Sequence, residues 1–267
     1  MTSRLRVAVI SDLHANGRAV RAALQLARLR GFDELVVLGD LLTYGVDIDA
    51  VLDAVAEAVS GHGGAVITGN HDQLYFDIAA GRTEYVERLP EWLRESIEFT
   101  ADRLDIGSFS ARFPWEHERS IGPVLFAHAN PFAYPNWRYM NTLSDIEEAR
   151  GVLAARGARA GVFGHNHRAA VHGGAGAVTE LAVSGEVAAL DLREQVVVVN
   201  PGSVGQPRRV GGGATLAMLA VDKDVLSVSI EAVDYDVNAH VAALMASAMT
   251  PPTREKLASF FATGSST

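Results

Sequence analysis

The 267-residue chain has no cysteine. That excludes disulfide stapling and any thiolate-held zinc or iron–sulfur centre, so metal binding has to rest on His, Asp and Asn. Long hydrophobic runs are missing too: no apolar stretch approaches the roughly 18 to 20 residues needed to cross a bilayer. Residues 1–10 carry two arginines and lack the apolar core and small-residue cleavage site of a signal peptide, which gives the expectation of a soluble, cytoplasmic protein without membrane contact. Positive charge is in deficit. Lys+Arg 23 against Asp+Glu 32 leaves a formal net charge of -9, a balance that disfavours a long nucleic acid as partner. There is no internal repeat and no block of like charge. What the chain does have is 48% hydrophobic residues, enough to bury a large core.

Residues 5–10 form an apolar, β-branched run ending at Ser11-Asp12, the pattern of a buried strand feeding a loop. Val20, Leu24 and Ala27 then recur at helical spacing over 18–30, and Gly31 stops the helix. Residues 35–38 and 65–68 are further strands, with a helix over about 48–59 between them. This alternation implies right-handed βαβ units and a parallel sheet whose ligands bind at the carboxyl ends of the strands. Residues 74–113 read as helical, with Pro90 opening a helix, and form a cap beside the site. Strands at 124–126 and 160–163 flank a helix at 146–155. From residue 177 the short runs 187–190, 196–199, 214–221 and 225–230 read as a second, largely antiparallel sheet. Helices follow at 237–248 and 253–261, separated by Thr250-Pro251-Pro252, and the glycine clusters at 173–176 and 211–213 read as turns. The expected organisation is one main domain over 1–235, with the cap inserted at about 74–113 and a C-terminal helical extension over 236–267 packed on it.

Five polar clusters follow apolar runs: Asp12-Leu13-His14, Gly39-Asp40, Gly69-Asn70-His71-Asp72, His128, and Gly164-His165-Asn166-His167. Asp12 and His14 can turn toward one ion, although an Asp–His pair in a loop is more often solvated or caps a helix. Asp40 offers two oxygens and suits a bridging role; its plainer reading is a helix N-cap. Asn70 supplies a neutral amide oxygen, and His71 projects toward whatever the metal holds. Asp72 is placed to accept a hydrogen bond from the His71 ring and fix its tautomer. His165 and His167 are aimed at adjacent coordination positions, whereas His128 alone could equally be a core histidine. Taken jointly, five such signals at strand ends are hard to obtain from structural roles. They suit two divalent ions sharing one carboxylate, which supply both an activated water and charge neutralisation for phosphate ester hydrolysis.

In order and content these clusters resemble the calcineurin-like metallophosphoesterase superfamily, with its D-x-H, G-D, G-N-H-D/E, lone histidine and G-H-x-H. The run Asn200-Pro201-Gly202-Ser203-Val204-Gly205-Gln206-Pro207-Arg208 resembles a segment of its small bacterial phosphodiesterase branch. The resemblance implies that Asp12, His14, Asp40 and His167 hold a first metal and Asp40, Asn70, His128 and His165 a second, with His71 as catalytic acid supported by Asp72. It also implies an α/β, four-layer α-β-β-α sandwich of two mixed sheets with flanking helices and a helical cap. The chain departs from that branch at Ala15, where glycine is common, and at Ala129-Asn130 after His128.

The function expected is a phosphodiesterase that hydrolyses a small nucleotide or related diester through a dimetal-bridged hydroxide, with manganese preferred and iron or zinc possible. Its partner is a small phosphorylated substrate. A phosphomonoesterase or dinucleoside polyphosphate hydrolase is the alternative, and a non-catalytic metal-binding interaction module is the reading from another class. Arg138, Arg168 and Arg208 are candidate phosphate clamps, and Tyr44 a candidate pocket wall. His62, His117, His172 and His240 match no cluster and are expected in solvent.

Overall fold

The computed structural model describes residues 4–173, 178–179, 185, 187–208 and 213–262. Most of both glycine clusters, 174–176 and 211–212, lies outside the described residues. The first half alternates as read: β1 (Leu5–Ile10), α1 (Gly17–Arg30), β2 (Glu34–Val37), α2 (Ile48–His62), β3 (Gly64–Ile67). Helices α3 (Asn70–Ala79), α4 (Glu91–Ala101) and α5 (Ile106–Arg112) follow, then β4 (Trp115–Glu116), β5 (Glu118–Ile121), β6 (Val124–Ala127), α6 (Leu143–Ala155) and β7 (Ala160–Phe163). The remainder is β8 (Ala170–His172), β9 (Val178–Thr179), β10 (Ala188–Asp191), β11 (Val197–Asn200), β12 (Ala214–Asp222), β13 (Val225–Val233), α7 (Val237–Met245) and α8 (Pro251–Ser259).

Two mixed sheets result, ordered β10-β13-β12-β1-β2-β3-β4 and β5-β6-β7-β11-β8-β9. Because side chains alternate across a strand, each strand feeds two layers. Val7 and Val9 of β1 meet Phe126 and Val162 between the sheets, while Ala8 and Ile10 face Val20, Leu24, Val51 and Val55 of α1 and α2. On the far side, Leu125 and Phe163 pack on Ile146, Ala149 and Leu153 of α6. The architecture is the α/β sandwich of two mixed sheets with flanking helices.

The late strands do not form a sheet of their own, as their alternation implies. β12 pairs antiparallel with β1, and β11 enters the other sheet parallel to β7. An apolar run reports burial, not its neighbour, and the four residues of β11 are all buried, which calls for an interior position with cover on both faces.

The helices at 74–113 contribute Tyr75, Ile97, Phe109 and Phe113 to the core. Leu244, Met249 and Leu257 of the C-terminal segment form a separate cluster with Tyr44, against Trp92 and Leu93 of α4. Pro251 does not separate helices but opens α8, since an N-terminal turn makes no use of the missing N–H. His240 is 1% exposed, not solvated; it lies on α7 against Phe261. His172 is half-buried, and His117 is exposed with its ring stacked on Tyr134. Among the described residues no helix is long and apolar enough to cross a membrane.

Candidate metal centre

β1, β2, β3, β6 and β7 end on one rim, and every expected ligand sits in the loop or helix start that follows one of them. The loops are stitched backbone to backbone: Asp12 N–H donates to Gly39 O (3.1 Å), His14 N–H to Asp40 O (2.9 Å) and Ala15 N–H to Leu41 O (2.9 Å). Asp12, His14, Ala15, Asp40, Thr43, Tyr44, His165 and His167 all have positive φ; among the described residues Lys223 is the other non-glycine residue that does. Such left-handed backbone costs on the order of 1–3 kcal/mol per residue and persists where surroundings over-determine it, as at functional sites. The φ of 48° at Ala15 shows why glycine suits that position. Gly69 is demanded by contact: a Cβ there would lie 2.2 Å from Asp40 Oδ1.

Ligand atoms of Asp12, His14, Asp40 and His167 lie within 4.8 Å of one another, as do those of Asp40, His128 and His165. The two groups share Asp40. Its Oδ1 accepts the His71 N–H (2.8 Å), and its Oδ2 lies 3.8 Å from His14 Nε2 and 3.4 Å from His128 Nε2. Asp40 Oδ2 is thus the carboxylate oxygen that faces histidines of both groups. Asn70 Oδ1 is 3.1 Å from His128 Nε2, which places the amide at the second group.

Each of the four clustered histidines has one ring nitrogen against a backbone carbonyl. Nδ1 of His14, His128 and His167 faces Leu42, Leu38 and Gln206, and Nε2 of His165 faces Trp137. For His14, His165 and His167, donation there leaves the other nitrogen as a bare lone pair, the form a metal requires, and His128 reaches it on losing its second proton. Nε2 of His14 and Nε2 of His167 meet at 3.1 Å, and His165 Nδ1 is buried with no partner. Facing lone pairs and an orphaned one, beside carboxylates, fit a cation.

Charge agrees with this. Burial pushes His14 well below the ordinary imidazole value and His165 down to about 3. His128 differs: against the cost of burial, the Asp40 carboxylate raises it to about 9. Burial alone would raise Asp12 and Asp40, but His167 and His128 beside them hold both carboxyls low.

Asp72 does not touch the His71 ring. Its Oδ2 accepts N–H bonds from Asp40 (2.7 Å) and Gly69 (2.9 Å), and its Oδ1 one from Leu41 (3.0 Å). It clamps the Asp40 loop. His71 Nε2 instead lies 3.2 Å from the Tyr44 hydroxyl, and His71 Nδ1 is buried without a partner among the described residues.

The 200–208 segment is a brace that motif reading records only as a likeness. Asn200 Nδ2 donates to Gly164 O (2.8 Å), Ser203 Oγ to Asp12 O (2.8 Å), and Gly205 N–H to Asp12 O (2.9 Å). It ends at Arg208, whose charge acts on Tyr44 and His71 and whose buried Nε has no partner among the described residues. Arg138 is turned away, paired with Glu148 (2.5 Å) and Asp145 (3.8 Å), and Arg168 is exposed. Asn130, at the second departure, braces its own loop by donating to Asn136 O (3.1 Å) and Arg138 O (3.0 Å).

A buried cluster of His and Asp on the rim of two packed sheets defines a protein made to hold divalent metal. The chain belongs to the calcineurin-like phosphoesterase superfamily, whose domain model matches residues 5–224. Protein MJ0912 of Methanocaldococcus jannaschii is 26% identical over 239 residues, 86% of this chain and 88% of that one. The fold is similar to the crystal structure of a metallophosphoesterase from Sphaerobacter thermophilus, with a TM-score of 0.71 and 22% identity over 96% of this chain and 99% of that one. It is also similar to the hypothetical protein PH1004 of Pyrococcus horikoshii OT3, with a TM-score of 0.72 and 19% identity over 94% and 97% of the two chains.

Proposed function

We propose that this metal-dependent phosphoester hydrolase is a phosphodiesterase acting on a small nucleotide or related diester. Asp12, His14, Asp40 and His167 would hold one divalent ion and Asp40, Asn70, His128 and His165 a second, with manganese preferred over iron or zinc. Bound there, such ions neutralise phosphoryl charge and make water a nucleophile near neutral pH. The protein's own share is positioning and proton transfer. His71 delivers a proton to the departing oxygen, a step that typically contributes about 10² to 10⁴ in rate. Arg208 faces the same side and offers its guanidinium to a phosphoryl oxygen.

One observation carries the choice of a diester. Of the three candidate clamps, Arg138 is engaged by Glu148 and Asp145 and Arg168 is exposed, whereas Arg208 is part-buried and its Nε has no partner among the described residues. Beside two divalent ions, one protein cation in place of several suits a diester, which presents one anionic oxygen fewer than a monoester. The net charge of -9 further favours small substrates over polyanions.

The test is turnover by the manganese-loaded protein of paired mono- and diesters, p-nitrophenyl phosphate and its bis ester, followed by a panel of mono-, di- and cyclic nucleotides. The diester is expected to be preferred by about tenfold or more in kcat/KM, and Arg208→Ala to raise KM. Equal or reversed preference would show a monoesterase, and turnover confined to dinucleoside polyphosphates would assign that class. A protein that takes up no manganese, or is inert when loaded, would be an interaction module.

A further inference from the structure

Tyr44 stands between the candidate catalytic histidine and the C-terminal helices. Its φ of 67°, next to 73° at Thr43, is an arrangement a tyrosine adopts only when held. It is held from several directions. Its N–H donates to Ser96 Oγ of α4 (2.9 Å), its ring stacks on Trp92 at 6.1 Å, and it packs with Leu244, Met249 and Leu257. Glu95 of α4 in turn fixes the start of α8, accepting the Thr250 hydroxyl at 2.6 Å and also bonding the Thr250 N–H and the Thr253 hydroxyl. At the inner end, the Tyr44 ring centroid lies 4.5 Å from that of His14 and 5.0 Å from that of His71. The phenol oxygen is 3.2 Å from His71 Nε2.

We propose that Tyr44 is the positioning residue of His71: its hydroxyl donates to Nε2, which leaves the ring proton on Nδ1, the nitrogen without a protein partner, and α7 and α8 hold it in place. The C-terminal helices then belong to the active site through Tyr44, against which Leu244 and Leu257 pack. A phenol O–H can donate across this 3.2 Å contact to a ring nitrogen that carries no hydrogen. This inference rests on His71 being the proton donor to the leaving group. Asp72, adjacent in sequence, cannot substitute, since both its oxygens are committed to the backbone.

The test is Tyr44→Phe in the full chain, which keeps the ring and removes the hydroxyl, with Leu257→Ala as a second variant that loosens α8 without entering the site. In zinc-loaded protein, which is diamagnetic, ¹⁵N NMR of His71 is expected to show the Nδ1–H tautomer in the parent and a mixture in Tyr44→Phe. For an alkyl diester with a poor leaving group, kcat is expected to fall about 10- to 100-fold, a large part of what a general acid contributes. For bis(p-nitrophenyl) phosphate the fall should be no more than about threefold, with KM little changed. Leu257→Ala should show the same pattern more weakly. An unchanged tautomer in Tyr44→Phe, or equal losses for the two esters, overturns the proposal. His71→Ala separates its two layers: if that variant spares the poor leaving group, the proton-donor reading falls and this one with it. If His71→Ala shows the dependence and Tyr44→Phe does not, only the role of Tyr44 falls.

Discussion

Gly69→Ala isolates the closest approach in the site. Gly69 has φ -88° and ψ 172°, a backbone any residue adopts, so alanine brings no conformational strain and acts only through its methyl carbon. That carbon would lie 2.2 Å from Asp40 Oδ1 and 2.4 Å from Asp40 N, where contacts of 3.4 Å or more are ordinary. Something must move by about 1.2 Å, the difference between those values. Asp72 pins Asp40 N, so turning the Asp40 carboxylate relieves only the Oδ1 contact; the Gly69 and Asp40 backbones must part as well, and Oδ1 loses the His71 N–H. Overpacking costs roughly 1–3 kcal/mol and a lost hydrogen bond to a charged group about 1.5–3 kcal/mol. A sum of about 2.5–6 kcal/mol corresponds to a fall in Tm of roughly 5–24 °C in a chain of this size. Because Asp40 is the carboxylate both ligand groups share, manganese affinity should fall at both, by more than about 100-fold in total. The assays are thermal unfolding of the metal-free protein and isothermal titration with manganese. Gly151→Ala is the control: it lies within α6, a Cβ there meets nothing within 4 Å, and it should stabilise by about 0.4–1 kcal/mol. Wild-type manganese affinity in Gly69→Ala, with Tm within about 1 °C of the parent, would refute the reasoning.

Two further outcomes follow from the same geometry. Asp72→Asn keeps the shape but sets an amide NH₂ against a backbone N–H, so manganese affinity should fall about 10- to 100-fold, as for residues that orient ligands, while the ratio of alkyl to aryl diester turnover stays at the parent value. A changed ratio with intact metal affinity would put Asp72 back on the His71 ring. His128, raised to about 9, carries a proton at pH 7 in the metal-free protein and must lose it to bind metal. Below that value affinity should therefore rise about tenfold per pH unit and level off above it, with about one proton released at pH 7. Titration calorimetry in buffers of different ionisation enthalpy reads this directly, and a heat independent of buffer would contradict it.

The rim of the site was legible because each ligand follows an apolar run that could only be a strand: Asp12 after β1, Asp40 after β2, Asn70 after β3, His128 after β6, His165 after β7. Residue type and strand ends were enough. Partner choice was not legible, since β11 and β12 are apolar whichever sheet receives them. The misreading of Asp72 has a geometric cause. α3 begins at Asn70, so His71 and Asp72 are consecutive on a helix, and consecutive helical side chains do not face each other. A clamp on residues three apart in sequence and across the loop, Gly69, Asp40 and Leu41, was the available role. His240 and Arg138 were misplaced for want of a partner visible in sequence: Phe261 covers one, and Glu148 on α6 draws the other.

What aims the histidines explains the rest. Their orienting partners are the carbonyls of Leu38, Leu42, Trp137 and Gln206, and every residue has a carbonyl, so the role leaves no mark on residue type. The backbone path that presents those carbonyls is what must be specified. For His167 that path is the 200–208 brace, and here residue type does matter: Gly205 passes so close to Leu13 that a Cβ would lie 1.9 Å from its carbonyl oxygen, while Ser203 Oγ both donates to Asp12 O and accepts from Gln206 N–H (2.8 Å each). One segment thereby fixes the loop of Asp12 and the ring of His167, two members of the same ligand group. A motif that contains no ligand is spelled as strictly as those that do, because it sets the backbone on which they depend.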